Sequence, residues 1–229
     1  MAMRKGDNVG VQIHWTYITP KKQETFLLTD WIEAREALML ADDFEKTGRV
    51  KALEFVDRNG VAWSKKELKK LLEEIASEPH EVVVYFDGGF DHETSQGGAG
   101  AVVYYKQNDH RYRLRANRRL GEIKSNNEAE YAAFWFVMQL LEELGVRHLP
   151  VTFRGDSHVV LKQLSGDWPC FEDDYNAWLD RIEAKLRELD IQPVYEPIAR
   201  KQNKEADSLA RQALDGQLIT SRTELEEKG

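Results

Sequence analysis

From Glu81 onward the apolar pattern runs as three strands, then a helix, a strand, two helices, a strand and a helix. That order leaves few folds open. Glu81–Phe86 is almost continuously apolar, Gly97-Gly98-Ala99-Gly100 leads into a second strand at Ala101–Lys106, and His110–Leu120 forms a third. A helix is expected over about Asn127–Leu144 and a strand at Val151–Arg154. Helices near Val159–Leu164 and Tyr175–Leu189, a strand at Ile191–Glu196 and a helix at about Lys204–Leu214 complete the series. Three antiparallel strands followed by helix–strand units predict an α/β unit, a mixed five-stranded sheet flanked by helices.

A different pattern precedes it. Val11, Ile13, Trp15 and Tyr17 alternate with Gln12, His14 and Thr16, as a half-buried strand does. Pro20-Lys21-Lys22 turns into a second strand around Phe26-Leu27-Leu28. Asp30 with Glu33 has the spacing of a capping box for a helix to about Thr47, stopped by Gly48. Leu53–Val56 meets Val61–Trp63 across Asp57-Arg58-Asn59-Gly60, whose Asn-Gly signals a hairpin. Ser64 with Glu67 caps a last helix. The change falls at Ser77-Glu78-Pro79-His80. We therefore expect a small α+β accessory domain over 1–79, a catalytic domain over 80–214 and a flexible polar tail over 215–229.

Charge and cysteine content narrow the function classes. The chain of 229 residues has a net charge of −8, and residues 1–80 hold 13 basic against 14 acidic side chains. The acidity thus lies in the second part, with 19 basic against 26 acidic residues. This argues against a protein that coats nucleic acid nonspecifically. Charges interrupt every apolar stretch, so no membrane span is expected. Met1–Gly10 lacks the apolar core of a signal peptide, and one cysteine, Cys170, excludes intrachain disulfides. Both suit the cytoplasm, with a monomer as the default state.

Four carboxylates stand at structured positions. Asp87 ends an apolar strand before Gly88-Gly89, Asp156 follows a short strand through Gly155, and Asp207 borders the apolar stripe of the last helix. In Ser125-Asn126-Asn127-Glu128-Ala129-Glu130, Glu128 fits a capping box with Ser125. Glu130 falls on the apolar face with Phe134, Val137 and Leu141, where a charge needs a partner or a metal. Clustered carboxylates repel unless cations compensate, and hard oxygen ligands suit Mg²⁺ or Mn²⁺ rather than zinc. Two such ions would support phosphodiester hydrolysis.

The segments Tyr85-Phe86-Asp87-Gly88-Gly89, Gly97-Gly98-Ala99-Gly100, Asn126–Tyr131, Gly155-Asp156-Ser157 and Arg200–Ala210 resemble, in order, type 1 ribonuclease H. The likeness is to its bacterial and archaeal reverse-transcriptase-like branch, and it runs from about Glu81 to Leu214. It implies a ribonuclease H-like fold and endonucleolytic cleavage of the RNA strand of an RNA/DNA hybrid. The products would carry a 5′-phosphate and a 3′-hydroxyl. Asp87, Glu130, Asp156 and Asp207 would be the catalytic and metal-binding residues for two Mg²⁺ or Mn²⁺ ions, with no organic cofactor. Asn126, Asn127, Arg200 and the backbone of Gly88 and Gly89 would contact the hybrid.

The pattern also departs from the family. His158 stands where many members have Gln, and its plain reading is a solvated helix residue. No basic protrusion is present, since Ser165–Asp174 is short and acidic. Substrate grip is then expected from Arg111, Arg113 and Arg115 on one strand face, continued by Arg118, Arg119 and Lys124, and from Lys65, Lys66, Lys69 and Lys70. These residues read equally well as solvated faces. The rival readings are a noncatalytic nucleic-acid-binding module and a related nuclease acting on RNA ends or duplex RNA.

Overall fold

The structure, a computed structural model, describes residues 9–226. It divides into two compact units, Met1–Ser77 and Glu78–Gly229. No helix among the described residues is long and apolar enough to cross a membrane.

In the first unit, strands β1 (Gly10–Ile18), β2 (Glu24–Leu28) and β3 (Ile32–Glu33) lead to helix α1 (Ala34–Lys46). Strands β4 (Val50–Asp57) and β5 (Ala62–Trp63) and helix α2 (Lys65–Ser77) follow. The antiparallel sheet has the order β2-β1-β4-β5, with β3 also on β1. Val11, Ile13 and Phe55 pack on Ala34, Ala37, Ala41 and Leu68 in a small core. Ser64 and Glu67 form the reciprocal capping box, each backbone amide donating to the other's side chain at 2.9 and 3.2 Å. The Asp30–Glu33 box does not form. Glu33 is instead held extended in β3 against Gly10, and α1 starts without a side-chain cap. Of the four lysines on α2, Lys65 is tied to Asp42 and Glu45 at 2.6 and 2.5 Å, which removes it from the expected cationic row.

The second unit is a six-stranded sheet. Strands β6 (His80–Asp91), β7 (Gln96–Gln107) and β8 (His110–Glu122) form an antiparallel meander. Helix α3 (Asn126–Glu143) leads to β9 (Pro150–Gly155), which pairs parallel to β6. Helices α4 (His158–Leu164) and α5 (Asp173–Glu188) precede β10 (Gln192–Pro197), parallel to β9, and helix α6 (Lys204–Leu214) follows. Phe86, Phe134 and Phe153 meet at ring separations of 5.1 and 4.7 Å beneath α3. Helix α6 lies on the opposite face, where Gly98 and Gly100 admit its backbone.

A sixth strand corrects the expected flexible tail over its described residues, 215–226; residues 227–229 of that tail lie outside the described residues. Thr220–Leu225 forms β11, antiparallel to β8, giving the order β10-β9-β6-β7-β8-β11. Five of its six residues are polar, so no hydrophobic pattern announces it; backbone pairing on an open edge holds it. Asn117, 7% exposed, fixes the approach. Its Nδ2 donates to the carbonyls of Leu209 and Gln217 at 2.9 Å each, and its Oδ1 accepts from the Ile219 amide at 2.7 Å. Replacing Asn117 by Ala removes one buried and two partly buried hydrogen bonds and should cost about 2–4 kcal/mol. Urea unfolding would measure that loss, and proteolysis within 215–225 should become faster. A wild-type cleavage rate there would show that the strand holds without Asn117.

A carboxylate cleft between two strands and two helices

The cleft arises because β9 ends where β6 continues. Val82–Tyr85 of β6 pairs with Val151–Arg154 of β9, and beyond Tyr85 only β7 remains as a partner. Asp87 therefore lies in mid-strand, not at a strand end as the sequence pattern suggests, and it faces the gap left by β9. Asp156 follows the last residue of β9 directly. Gly88 brings α3 close: a Cβ there would stand 2.3 Å from the Ala129 carbonyl carbon. This contact, rather than a turn, accounts for the first glycine of the pair. The Gly88 amide donates to Glu130 Oε2 at 3.2 Å.

Carboxylate oxygens of Asp87, Glu130 and Asp156 lie within 4.8 Å of one another. Asp87, 8% exposed, is pushed up to about 7 by burial, then by the charges of Asp156 and Asp207. Burial, followed by the charges of Asp87 and Asp156, holds Glu130 well above the usual carboxylate range. Without a cation, protons must therefore offset the repulsion. The donor set fits a hard divalent cation, because the three groups are all carboxylates. Asp207 is turned elsewhere: Arg211 holds it at 2.7 and 2.5 Å and Arg200 at 3.3 Å. Three of the four expected carboxylates thus converge, and the fourth is ion-paired at the rim.

The remaining expected residues are placed as follows. Gly88, Gly89, Asn126, Asn127 and Arg200 line the same cleft of about 380 Å³, together with Ser157, Phe90 and Arg211. His158 is exposed on the first turn of α4. Arg113 and Arg115 are engaged by Glu205 at 3.6 and 2.7 Å, on the α6 side of the sheet. Arg118 turns to the other side, donating to Gln139 and lying 4.6 Å from the Phe136 ring centroid. Lys124 is paired with Asp174 at 2.6 Å. The basic residues of β8 therefore do not form one continuous patch leading to Asn126, because acidic partners and sheet alternation divide them.

Sequence reasoning passed over Asn203, which is 1% exposed and touches both central aspartates. It lies inside the Arg200–Ala210 segment, but its type and position alone read as an ordinary helix cap.

Known proteins resemble this chain in sequence and in fold. The profile of the family described as reverse transcriptase-like matches residues 85–213. An uncharacterized protein of Bacillus subtilis, YpeP, is 45% identical over 205 residues, covering 90% of each chain. The crystal structure of RNase H1 from the halophilic archaeon Halobacterium salinarum superposes with a TM-score of 0.51 at 27% identity, over 59% of this chain and 98% of that one. The compost-derived LC11-RNase H1, solved in complex with an RNA/DNA hybrid, gives a TM-score of 0.50 at 25% identity, over 59% and 98% respectively.

Proposed function

We propose that this chain, which belongs to the reverse transcriptase-like family and has a ribonuclease H fold, hydrolyses the RNA strand of RNA/DNA hybrids endonucleolytically. The observation that carries this reading is the convergence of Asp87, Glu130 and Asp156 on one cleft at the end of β9. Asp87 and Asp156 would be the central ligands for two Mg²⁺ or Mn²⁺ ions, with Glu130 and, once released from its arginines, Asp207 completing the set. Such ions supply an activated water and stabilise charge on the leaving oxygen, giving 5′-phosphate and 3′-hydroxyl ends.

The chain's own residues do the rest. Asn126 and Asn127 present their amides at the exposed start of α3, beside the backbone of Gly88 and Gly89. Arg200, three-quarters exposed, can exchange Asp207 for a phosphate. Glu130 stands beside Asp87, where a ribose hydroxyl would separate RNA from DNA.

The test is cleavage of an end-labelled RNA/DNA hybrid in EDTA, Mg²⁺ or Mn²⁺, by wild type and by Asp156→Asn. We expect internal cuts in the RNA strand only with metal, and a loss of about 10³-fold or more in the variant, equivalent to about 4 kcal/mol. Binding without cutting in either metal would make this a noncatalytic nucleic-acid-binding module. Cutting of duplex RNA, or only from ends, would make it a related nuclease.

A further inference from the structure

We infer that Asn203 is a positioning residue that fixes Asp87 and Asp156 against each other from behind the cleft; this rests on the metal-dependent nuclease reading above. Asn203 occupies the N-cap position of α6. An asparagine there ordinarily turns its side-chain oxygen to an amide of the first helical turn. Here the side chain makes no capping hydrogen bond, and Oδ1 is buried without a donor.

The amide nitrogen explains the orientation. Nδ2 donates to the Phe86 carbonyl at 2.8 Å, and it reaches Asp156 Oδ1 at 3.2 Å and Asp87 Oδ1 at 3.4 Å. Turning the amide over would place a carbonyl oxygen against three acceptors. The side chain therefore forgoes its cap bond, leaves one acceptor unsatisfied, and joins the start of α6 to β6 and to the end of β9. A structural cap would do the opposite.

The residue type suits the task. The two aspartates belong to separate elements and repel, so each needs a donor to hold its rotamer. A lysine or arginine there would neutralise the charge a cation requires. A neutral amide donates without doing so, and outer partners of this kind typically change metal affinity by about 10- to 100-fold.

The experiment uses the full chain with Asn203→Ser, because serine is as good an N-cap as asparagine. Mn²⁺ binding by titration calorimetry, the thermal midpoint in EDTA, and kcat and KM on the hybrid are measured together. The expected result is a somewhat lower thermal midpoint, because the buried Phe86 carbonyl loses its donor, together with Mn²⁺ affinity of the folded protein lower by about 10-fold or more and a lower kcat with unchanged KM. Should the serine variant not fold, Asn203→Gly, which costs a cap only a few tenths of a kcal/mol, takes its place. Wild-type Mn²⁺ affinity and kcat in the variant, with or without lost stability, would overturn the inference and leave the nuclease reading intact. Wild-type protein that neither binds Mn²⁺ nor cleaves would overturn both, and the unmutated control separates the two outcomes.

Discussion

Replacing Asp87 by Asn should abolish hybrid cleavage, by about 10³-fold or more, and at the same time raise the melting temperature of the metal-free protein at pH 8. Both effects come from the same crowding. Asp87 is buried within 4.8 Å of Glu130 and Asp156, and its proton is retained up to about pH 7. The unfolded chain releases that proton near the ordinary value of 3.8. The native state thus binds more protons than the unfolded state between these values, so metal-free stability falls as pH rises through the interval. Asparagine removes one charge from the cluster, so the stability gain should be large at pH 8 and shrink toward pH 5. Added Mg²⁺ or Mn²⁺ should stabilise the wild type at pH 8 and the variant much less. Wild-type cleavage should likewise rise with pH across about 6 to 8, as the site loses its proton. Thermal melts at the two pH values, with and without metal, check the sign directly. A variant less stable than wild type at pH 8 in EDTA would show that the cluster is not repulsive.

Replacing Gly100 by Ala should be the most disruptive single-methyl change in the second unit. A Cβ at Gly100 would lie 2.1 Å from the Ala206 carbonyl oxygen and 2.6 Å from the Ala210 amide nitrogen, both backbone atoms of α6. No side-chain rotation relieves such a contact, so the helix must move off the sheet. We expect a loss of about 3 kcal/mol or more, at the upper end for overpacking. At about 2–4 °C per kcal/mol for a chain of this size, that is roughly 10 °C. Because α6 carries Asp207 and begins at Asn203, cleavage should fall together with stability. Urea melts give the free energy. A loss below about 1 kcal/mol would mean that α6 tolerates a shift the packing does not suggest.

Much of this protein is legible locally. The order of strands and helices follows from periodicity, and the Ser64–Glu67 box and the Asn59-Gly60 hairpin form as their spacing predicts. Asp57 even supplies the turn's anchor, accepting from the Asn59 and Val61 amides at 2.8 and 3.0 Å. Glu130 stood out because helical spacing put a carboxylate on an apolar face, and the fold sets it against Asp87.

What escaped the sequence depends on partners distant in the chain. Strand β11 is held by register with β8 and by Asn117, about 100 residues away, and a polar strand has no hydrophobic signature. Arg115 reads as a free cation until Glu205 is brought to 2.7 Å from it. Asp87 reads as a strand terminus until β9 is seen to end beside it. Asn203 reads as a cap until its amide is seen to face two aspartates. Which side chains could do the chemistry, and which elements carry them, can be read along the chain, because type and period are local properties. Which carboxylates meet, which cations are already paired and which neutral group holds the cluster in place emerge from folding alone, because those depend on close approaches between segments far apart along the chain.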